Sequence, residues 1–261
     1  MMGSIAFSVL SSGSKGNSTY IDGPEGAIVI DAGLSARQII RRTVSAGGEP
    51  GRIRGILLTH EHSDHLRGVV PLARKLKIPV YGTASTIMAA QLPEDIEIVN
   101  FDSGRSFNAA GFSIMPFALP HDAADPVGYI VEIEDIRIGL ATDLGYGTVL
   151  VRDRLRNCRV VILESNHDEQ MLMDGPYPWF LKQRVNSRSG HLSNKASSMI
   201  LEEIFHAGLE SVTLAHLSEI NNEPELALGS AKDILGLNGR SVKLTAASVH
   251  ESMPLTRLDL R

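Results

Sequence analysis

The segment that decides the fold is His60-Glu61-His62-Ser63-Asp64-His65, which follows directly on the apolar run Gly55–Thr59. The apolar run predicts a buried β-strand, so the six residues lie at its C-terminal end, where α/β proteins gather their functional sites. Residues two apart in an extended segment point the same way, so the first two histidines can reach one ion. A helix that begins within the segment would turn the aspartate and the third histidine toward a second point. Imidazole and carboxylate ligands suit zinc, manganese or iron, and the segment therefore predicts a metal site.

Three further ligand-type residues also stand just past apolar runs that predict strands. They are His121, Asp143 and His216. Each alone could be an ordinary loop residue, but their shared position at strand ends groups them with the six-residue segment. Together these groups, with one carboxylate as a bridge, would be enough to hold two ions.

Both halves of the chain are rich in predicted strands with helices interleaved, and no repeat or shift in composition marks a linker. We therefore expect one α/β domain over residues 1–261, with mixed sheets covered by helices. Ser35 predicts the N-cap of a helix that extends to about Val44. A second helix is predicted over Leu66–Leu76, with a kink at Pro71.

The composition excludes several classes of protein. The chain has 261 residues, 43% of them hydrophobic, which is typical of a globular protein with a sizeable core. Its single cysteine excludes an intramolecular disulfide and a cysteine-based zinc site. The net charge of −5 does not favour nucleic acid over the whole surface, so any such binding needs local positive charge. No signal-peptide core or apolar run of membrane-spanning length is visible, so we expect a cytoplasmic protein without membrane association.

The order of the ligand-type residues, an HxHxDH segment followed by His, Asp and His, resembles the metallo-β-lactamase superfamily. The resemblance implies a four-layer αββα sandwich and two divalent metal ions, zinc or manganese with iron as a further option. Transferred residue by residue, it assigns ligands to each ion: His60, His62 and His121 to the first, and Asp64, His65 and His216 to the second. Asp143 would bridge the ions, and Asp31 would orient the ligands without contacting the ions itself.

Other residues reduce the number of superfamily branches to which the chain could belong. Cys158 precedes a predicted strand and does not stand at a ligand position, which argues against a true β-lactamase. His62 stands where flavodiiron proteins carry glutamate, which argues against that redox branch. Glyoxalase II and related thioesterases share the ligand set, so a thioester or lactone hydrolase stays open at this point. A regulatory protein without catalysis is a further alternative, although the intact ligands argue against it.

Two more segments favour a nuclease. Glu164 ends an apolar run and His191 precedes a predicted helix, and both are similar to the paired Glu and His segments of ribonuclease Z and its relatives. In those enzymes the histidine protonates the leaving oxygen and the glutamate holds the histidine. Together with Ser11–Ser18 and His216–Ser218, these segments resemble the YycJ/WalJ group over nearly the whole chain. That group implies a 5′-to-3′ DNA exonuclease in which a hydroxide activated by the two ions attacks phosphorus, with Asp64, Glu164 and His191 as catalytic residues.

Substrate contacts are predicted from polar and basic residues outside the ligand set. The Ser/Gly loop Ser11–Ser18 lacks the P-loop pattern but could bind phosphate through its backbone N–H groups, although an ordinary turn fits it equally. Lys182, Arg184 and Arg188, in and just after the segment Tyr177–Arg184, could contact a nucleic-acid backbone, and Trp179 or Tyr177 could stack on a base. For Trp179 and Phe180 we prefer the alternative that they form the buried side of an amphipathic helix. The predicted substrate-binding residues are Lys15, Asn17, Ser18, Asn194, Lys182 and Arg184.

Overall fold

Strands and helices alternate along the chain much as the apolar runs predict. A computed structural model describes residues 4–236 and 242–259; the remainder of the predicted 1–261 domain lies outside the described residues. Fourteen strands are present in these ranges: β1 (Ser4–Ser11), β2 (Ser18–Asp22), β3 (Ala27–Ile30), β4 (Ile53–Leu57), β5 (Val80–Thr83), β6 (Ile98–Phe101), β7 (Phe107–Ala109), β8 (Phe112–Ala118), β9 (Val127–Ile133), β10 (Ile136–Ala141), β11 (Val160–Glu164), β12 (Ser211–Ala215), β13 (Lys243–Ala246) and β14 (Thr256–Asp259).

Nine α-helices are present in the same part of the chain: α1 (Ala36–Ala46), α2 (Ser63–Leu66), α3 (Val69–Leu76), α4 (Ala84–Ala90), α5 (Val149–Leu155), α6 (Glu169–Asp174), α7 (Trp179–Val185), α8 (Asn194–Ile204) and α9 (Pro224–Gly236). Among the described residues, no helix combines the length and the apolar character that crossing a membrane requires.

The strands form two seven-stranded mixed sheets. The first has the order β14-β1-β2-β3-β4-β5-β6 and the second the order β13-β12-β11-β10-β9-β8-β7. Each sheet has a parallel half, which is β3 to β6 in the first and β10 to β13 in the second. Late in the chain, β14 returns to pair with β1 in the first sheet. The parallel halves matter for function because the C-terminal ends of parallel strands line up along one edge.

Alternating side chains of these strands build a four-layer sandwich. Ile28 and Ile30 of β3 belong to the core between the two sheets, together with Tyr129 of β9 and Ile162 of β11. Val29, on the opposite face of β3, packs in a cluster with residues of α1 and α3. A third apolar cluster joins the second sheet to α5, α8 and α9. Because the central strands are buried on both faces, their sequences are continuous apolar runs. The αββα architecture expected from the resemblance is confirmed.

Helix α1 begins at the cap that the sequence predicts. The Ser35 hydroxyl accepts a hydrogen bond from the Gln38 N–H, and the Gln38 side chain accepts one from the Ser35 N–H, which completes a capping box. Gly47 ends the helix in the left-handed conformation, with a φ of 95°. The prediction of a helix after Ser35 is confirmed, and the helix extends two residues beyond Val44.

The predicted single helix over Leu66–Leu76 with a kink at Pro71 is wrong. Helices α2 and α3 are separate, and Gly68 lies between them. The Gly68 N–H donates to the Ala32 carbonyl at 2.6 Å, and a side chain at Gly68 would meet the Leu34 carbonyl oxygen at 2.0 Å. Pro71 falls in the first turn of α3, where a missing N–H leaves no helical hydrogen bond unmade. The break therefore comes from tight packing between two loops and not from the proline.

Candidate metal centre

The centre lies where strands of both sheets end. Asp31 follows β3 and the segment His60–His65 comes just after β4, whereas Asp143, Glu164 and His216 stand at the ends of β10, β11 and β12. These are parallel strands, so their C-terminal ends converge. The loop between β8 and β9 adds His121. All seven residues that the sequence predicts as ligands are brought into one cluster.

Three residues of the centre have a strained backbone. Asp31, Asp143 and His216 have φ values of 59°, 63° and 55°, in the left-handed region that non-glycine residues rarely adopt. The chain therefore turns sharply just after a strand, and each side chain reaches the cluster instead of following the pleat of the sheet. Such strain persists only where the surroundings impose it, and it concentrates at functional sites.

The ligand atoms form overlapping groups. Two sets of three side chains have all of their ligand atoms within 4.8 Å of one another: His60, His62 and His121, and Asp64, His65 and His216. Asp143 forms a further group of this kind with one histidine from each set, and its Oδ2 lies 3.4 Å from His65 Nε2. The Asp143 carboxylate thus lies between the two sets. The arrangement therefore offers two neighbouring sets of ligand atoms that share Asp143.

Hydrogen bonds to one ring nitrogen orient four of the histidines. Their Nδ1 atoms have four separate partners: Thr59 Oγ1 for His60 at 2.9 Å, Asp31 Oδ2 for His65 at 2.8 Å, the Gly190 carbonyl for His121 at 3.1 Å and Glu164 Oε1 for His216 at 2.8 Å. The Thr59 hydroxyl donates its own proton to Asp31, so each of these partners accepts. Nδ1 then carries a proton in each case, and Nε2 is the nitrogen that would offer its lone pair to a cation in the cluster.

Three buried atoms of the centre have no hydrogen-bond partner among the described residues: His60 Nε2, His216 Nε2 and Asp143 Oδ2. Leaving a buried polar atom unpaired costs about 1–3 kcal/mol. A bound cation would satisfy such lone pairs, and imidazole nitrogens with carboxylate oxygens are a donor set for zinc, manganese and iron. The residues present therefore fit divalent cations.

Carboxylates dominate the electrostatics of the second set. Burial lowers the pKa of His65, but Asp31 and Asp143 outweigh burial and raise the pKa to about 10. Burial likewise lowers the pKa of His216, but the carboxylates of Asp143, Asp64 and Glu164 outweigh burial and hold the His216 pKa well above its usual value. At His60, burial and the adjacent imidazoles lower the pKa well below its usual value. The first set thus presents a neutral imidazole at His60, and in the second set a cation would displace protons from His65 and His216.

Glu164 is a buried carboxylate shared by two histidines. Its Oε1 accepts hydrogen bonds from His191 Nδ1 and His216 Nδ1, each at 2.8 Å, and its Oε2 accepts from the N–H groups of Leu144 and Leu192. Burial raises the pKa of Glu164, but His191 and His216 outweigh it and hold the pKa below its usual range. The His191 side chain is 20% exposed, so it is open to a substrate at the edge of the cluster.

Asn17 faces the cluster instead of the solvent. Its Nδ2 lies 3.1 Å from Asp64 Oδ2 and 3.0 Å from His65 Nε2, and its backbone N–H donates to the Asp64 carbonyl. Its Oδ1 accepts from the Gly13 N–H. Asn17 therefore joins the Ser/Gly loop to the second set of ligands, a positioning contact that sequence reasoning missed because nothing in a local motif reveals a partner 47 residues away.

The other predicted substrate residues have mixed surroundings. Ser18 and Asn194 are buried, and Asn194 Oδ1 accepts from the Ser165 hydroxyl at 2.6 Å. The three cations lie nearer the surface and have partners within the protein: Lys15 with Glu219 at 2.8 Å, Arg184 with Asp122 at 2.7 Å and Lys182 with the Met173 carbonyl at 2.5 Å. Their contacts with a substrate stay predictions.

The predicted burial of the aromatic residues near Lys182 is wrong. Trp179 and Phe180 are 60% and 71% exposed at the start of α7. This helix of seven residues packs through Val185, at its C-terminal end. A helix so short has no room for a continuous buried side, and its first turn stays in the solvent.

A family model described as a beta-lactamase superfamily domain matches residues 27–217. That range contains all seven ligand-type residues, the Glu164–His191 pair and Asp31. The chain belongs to the beta-lactamase superfamily. The family resemblance predicted from the residues is thereby confirmed.

Two exodeoxyribonucleases are similar to this chain over most of its length. Exodeoxyribonuclease YycJ of Bacillus anthracis is 34% identical over 253 residues, which cover 95% of each chain. Exodeoxyribonuclease WalJ of Streptococcus pneumoniae is 34% identical over 227 residues, which cover 85% of this chain and 84% of WalJ.

Two solved structures share the fold of this chain at low sequence identity. The metallo-beta-lactamase fold protein YhfI from Bacillus subtilis gives a TM-score of 0.75 at 15% identity, covering 98% of this chain and 100% of YhfI. The short form of human tRNase Z gives a TM-score of 0.64 at 14% identity, covering 95% of this chain and 98% of the human one. The similarity establishes the sandwich as the common framework of these proteins.

Proposed function

We propose that this protein is a metal-dependent phosphodiesterase that acts as a 5′-to-3′ DNA exonuclease. The observation that carries the proposal is the Glu164–His191 pair, with His191 Nδ1 2.8 Å from Glu164 Oε1 and 3.7 Å from Asp143 Oδ1. Cleavage of a DNA phosphodiester releases a basic alkoxide that needs a proton, whereas a thioester releases a thiolate that does not. The names of the two exodeoxyribonucleases at 34% identity support DNA as the substrate. The 5′-to-3′ direction follows from the resemblance to the YycJ/WalJ group.

Two divalent cations, zinc or manganese with iron as a further option, would be held by the two sets of ligands with Asp143 between them. When bound, they would supply the Lewis acidity that makes water a nucleophile near neutral pH and that offsets the charge on the phosphate.

The side chains of the protein would move the protons. Asp64 Oδ2, which accepts a hydrogen bond from Asn17, would take the proton of the attacking water. His191 would present its Nε2–H to the leaving oxygen and release the proton as the P–O bond breaks. Glu164 stays ionised, fixes His191 through Nδ1 and stabilises the imidazolium before transfer.

The test is a cleavage panel of 5′-labelled and 3′-labelled DNA and RNA of one sequence, with protein loaded with manganese or zinc. We expect DNA to be shortened from its 5′ end and cleavage to stop when the metal is chelated. Shortening from the 3′ end or a preference for RNA would contradict the polarity or the substrate. The proposal fails if metal-loaded protein cleaves neither nucleic acid nor bis-p-nitrophenyl phosphate.

The alternatives give different results in the same assays. A glyoxalase II-like enzyme would hydrolyse a glutathione thioester and leave DNA intact. A regulatory protein would be folded but would bind no metal after purification and reloading, as measured by elemental analysis.

A further inference from the structure

One stretch of the chain has a charge balance opposite to that of the whole protein. The chain carries no acidic residue between Asp174 and Glu202, although its 30 acidic residues outnumber its 25 cations. Four cations lie in this stretch: Lys182, Arg184, Arg188 and Lys195. The stretch contains α7 and ends in α8. Arg184 is paired with Asp122, so Lys182, Arg188 and Lys195 supply the local positive charge that a net-acidic protein needs to bind a polyanion.

Aromatic side chains are exposed beside these cations. Trp179 and Phe180, adjacent residues in the first turn of α7, are 60% and 71% exposed. Contiguous exposed apolar patches mark interaction sites, and aromatic residues are enriched at interfaces because each ring buries a large area on contact. Contact with a binding partner would bury the exposed rings of Trp179 and Phe180.

A third aromatic ring makes a cation–π contact with an arginine side chain. The Arg188 guanidinium lies over the Tyr146 ring, with Cζ 4.6 Å from the ring centroid, and Tyr146 is 36% exposed. The two segments approach closely because Gly145 has no side chain; a Cβ there would lie 2.3 Å from the Arg188 carbonyl carbon. Tyr146, Trp179, Phe180, Lys182, Arg184 and Arg188 are here called the α7 surface.

The α7 surface is continuous with the metal centre. The His191 N–H donates to the Val185 carbonyl at the end of α7, at 2.8 Å. Arg184 Nε lies 2.7 Å from Asp122 Oδ2, next to His121 in the chain. The proposed proton donor and the exposed aromatic residues therefore belong to one short segment folded back on itself.

We propose that the α7 surface binds unpaired nucleotides of the DNA strand being cleaved. The aromatic rings stack on bases and the cations contact phosphates, which is how proteins hold single strands without reading sequence. The inference rests on the proposed nuclease function and names the form of substrate that it takes. A second copy of this chain fits the surface less well, because cations on both copies would face each other, whereas a polyanion complements them.

Binding without cleavage tests the proposal. Fluorescein-labelled oligothymidine of about 12 nucleotides and an abasic strand of the same length are titrated with wild-type protein in EDTA, followed by anisotropy. We expect tighter binding of oligothymidine than of the abasic strand. Trp179 is the single tryptophan of the chain, so stacking is also read directly as quenching of protein fluorescence by oligothymidine.

Variants separate stacking from charge. The double variant Trp179→Ala, Phe180→Ala should bind oligothymidine about 5-fold more weakly or worse and lose the preference over the abasic strand. The double variant Lys182→Gln, Arg188→Gln should weaken binding of both strands and lower the salt dependence by roughly 0.7 per lost phosphate contact. Met88→Ala, at a 77% exposed position of α4, is the matched control and should bind like the wild type.

Several outcomes would overturn the inference. These are no binding of oligothymidine by the wild type, equal affinity of the wild type for the two strands, or wild-type affinity in the aromatic variant. A dimer that the aromatic variant abolishes while strand binding persists would assign the surface to a second copy instead. Hydrolysis of bis-p-nitrophenyl phosphate and labelled DNA by wild-type protein reports separately on the proposed function, so the two failures are distinguishable.

Discussion

Glu164 links the proposed proton donor to the metal centre through one oxygen atom. Oε1 accepts from His191 Nδ1 and from His216 Nδ1 at the same distance of 2.8 Å. The same buried charge thus fixes the ring of a candidate ligand and the ring of a candidate acid. Any change at Glu164 would disturb both, so His191 is the better residue for testing acid catalysis.

Replacing His191 with alanine should lower cleavage of DNA by about 10²–10⁴-fold, because the leaving alkoxide loses its proton donor. Hydrolysis of bis-p-nitrophenyl phosphate should fall much less, because p-nitrophenolate leaves without a proton. Steady-state rates on both substrates with manganese measure the difference between the two losses of activity. His250→Ala, an exposed histidine, serves as control, and an equal loss on both substrates would show that His191 has a structural role only.

His167 is a buried histidine with no hydrogen-bond partner for either ring nitrogen among the described residues. Burial lowers its pKa, and Glu164 opposes the change without cancelling it. The folded pKa therefore lies below the unfolded value of about 6.5, so between the two values the unfolded chain binds more protons. Stability should be lost as the pH falls through about 6.5 toward the folded pKa, with no effect at higher pH.

The variant His167→Gln removes this titration and keeps a polar side chain of similar length. We expect its melting temperature to fall less than that of the wild type as the pH is lowered from about 7.5 to 5.5. Calorimetry at fixed metal concentration measures the difference between the two slopes. His250→Gln should keep the wild-type slope, and identical slopes for His167→Gln and wild type would contradict the assignment.

At the scale of elements, capping signals and apolar runs predicted most of the structure. The central strands of the parallel halves, such as β3, β11 and β12, were found because their residues are buried on both faces, and α1 was found from Ser35. Strands β7 and β14 were missed because each is short and partly exposed, and β14 depends on pairing with β1 at the far end of the chain. The predicted kink at Pro71 was wrong because a proline in the first turn of a helix does not bend or break it.

The cap of α1 allows a matched test of local stability. Ser35→Ala removes the acceptor for the Gln38 N–H and should lower the free energy of unfolding by about 1 kcal/mol. Ser45→Ala, the same substitution at an exposed position in the last turn of α1, should change it little or raise it slightly. Urea unfolding of both variants gives the comparison. Equal effects would mean that the capping box does not stabilise the helix.

At the scale of the whole molecule, the metal centre joins the two sheets. The segment His60–His65 follows β4 of the first sheet, and Asp143 and His216 follow β10 and β12 of the second. Cations held between them would bind the folded state and not the unfolded chain, so they would raise its stability by mass action.

Adding manganese or zinc to chelated protein at about 100 times the dissociation constant should stabilise it by about 2.7 kcal/mol, or raise the melting temperature by roughly 5–10 °C. Asp143→Asn should lose most of this shift, because it removes the charge between the two sets of ligands. Asparagine tolerates the left-handed backbone at this position, so the variant should fold. Calorimetry and elemental analysis measure the result; an undiminished shift in the variant would remove Asp143 from the site.

The sequence by itself determined which ligand-type residues stand at the ends of strands and in what order, because a single chain displays local patterns and residue identity directly. The pairing of Glu164 with His191 was predicted from the resemblance to ribonuclease Z and its relatives, and no local pattern contains it. The tertiary structure alone decided that Glu164 holds His216 as well as His191, that Asn17 faces Asp64 and that Trp179 and Phe180 are exposed. Those facts depend on the pairing and register of strands and loops far apart in the chain, and distances across such a fold are set only when both sheets pack together.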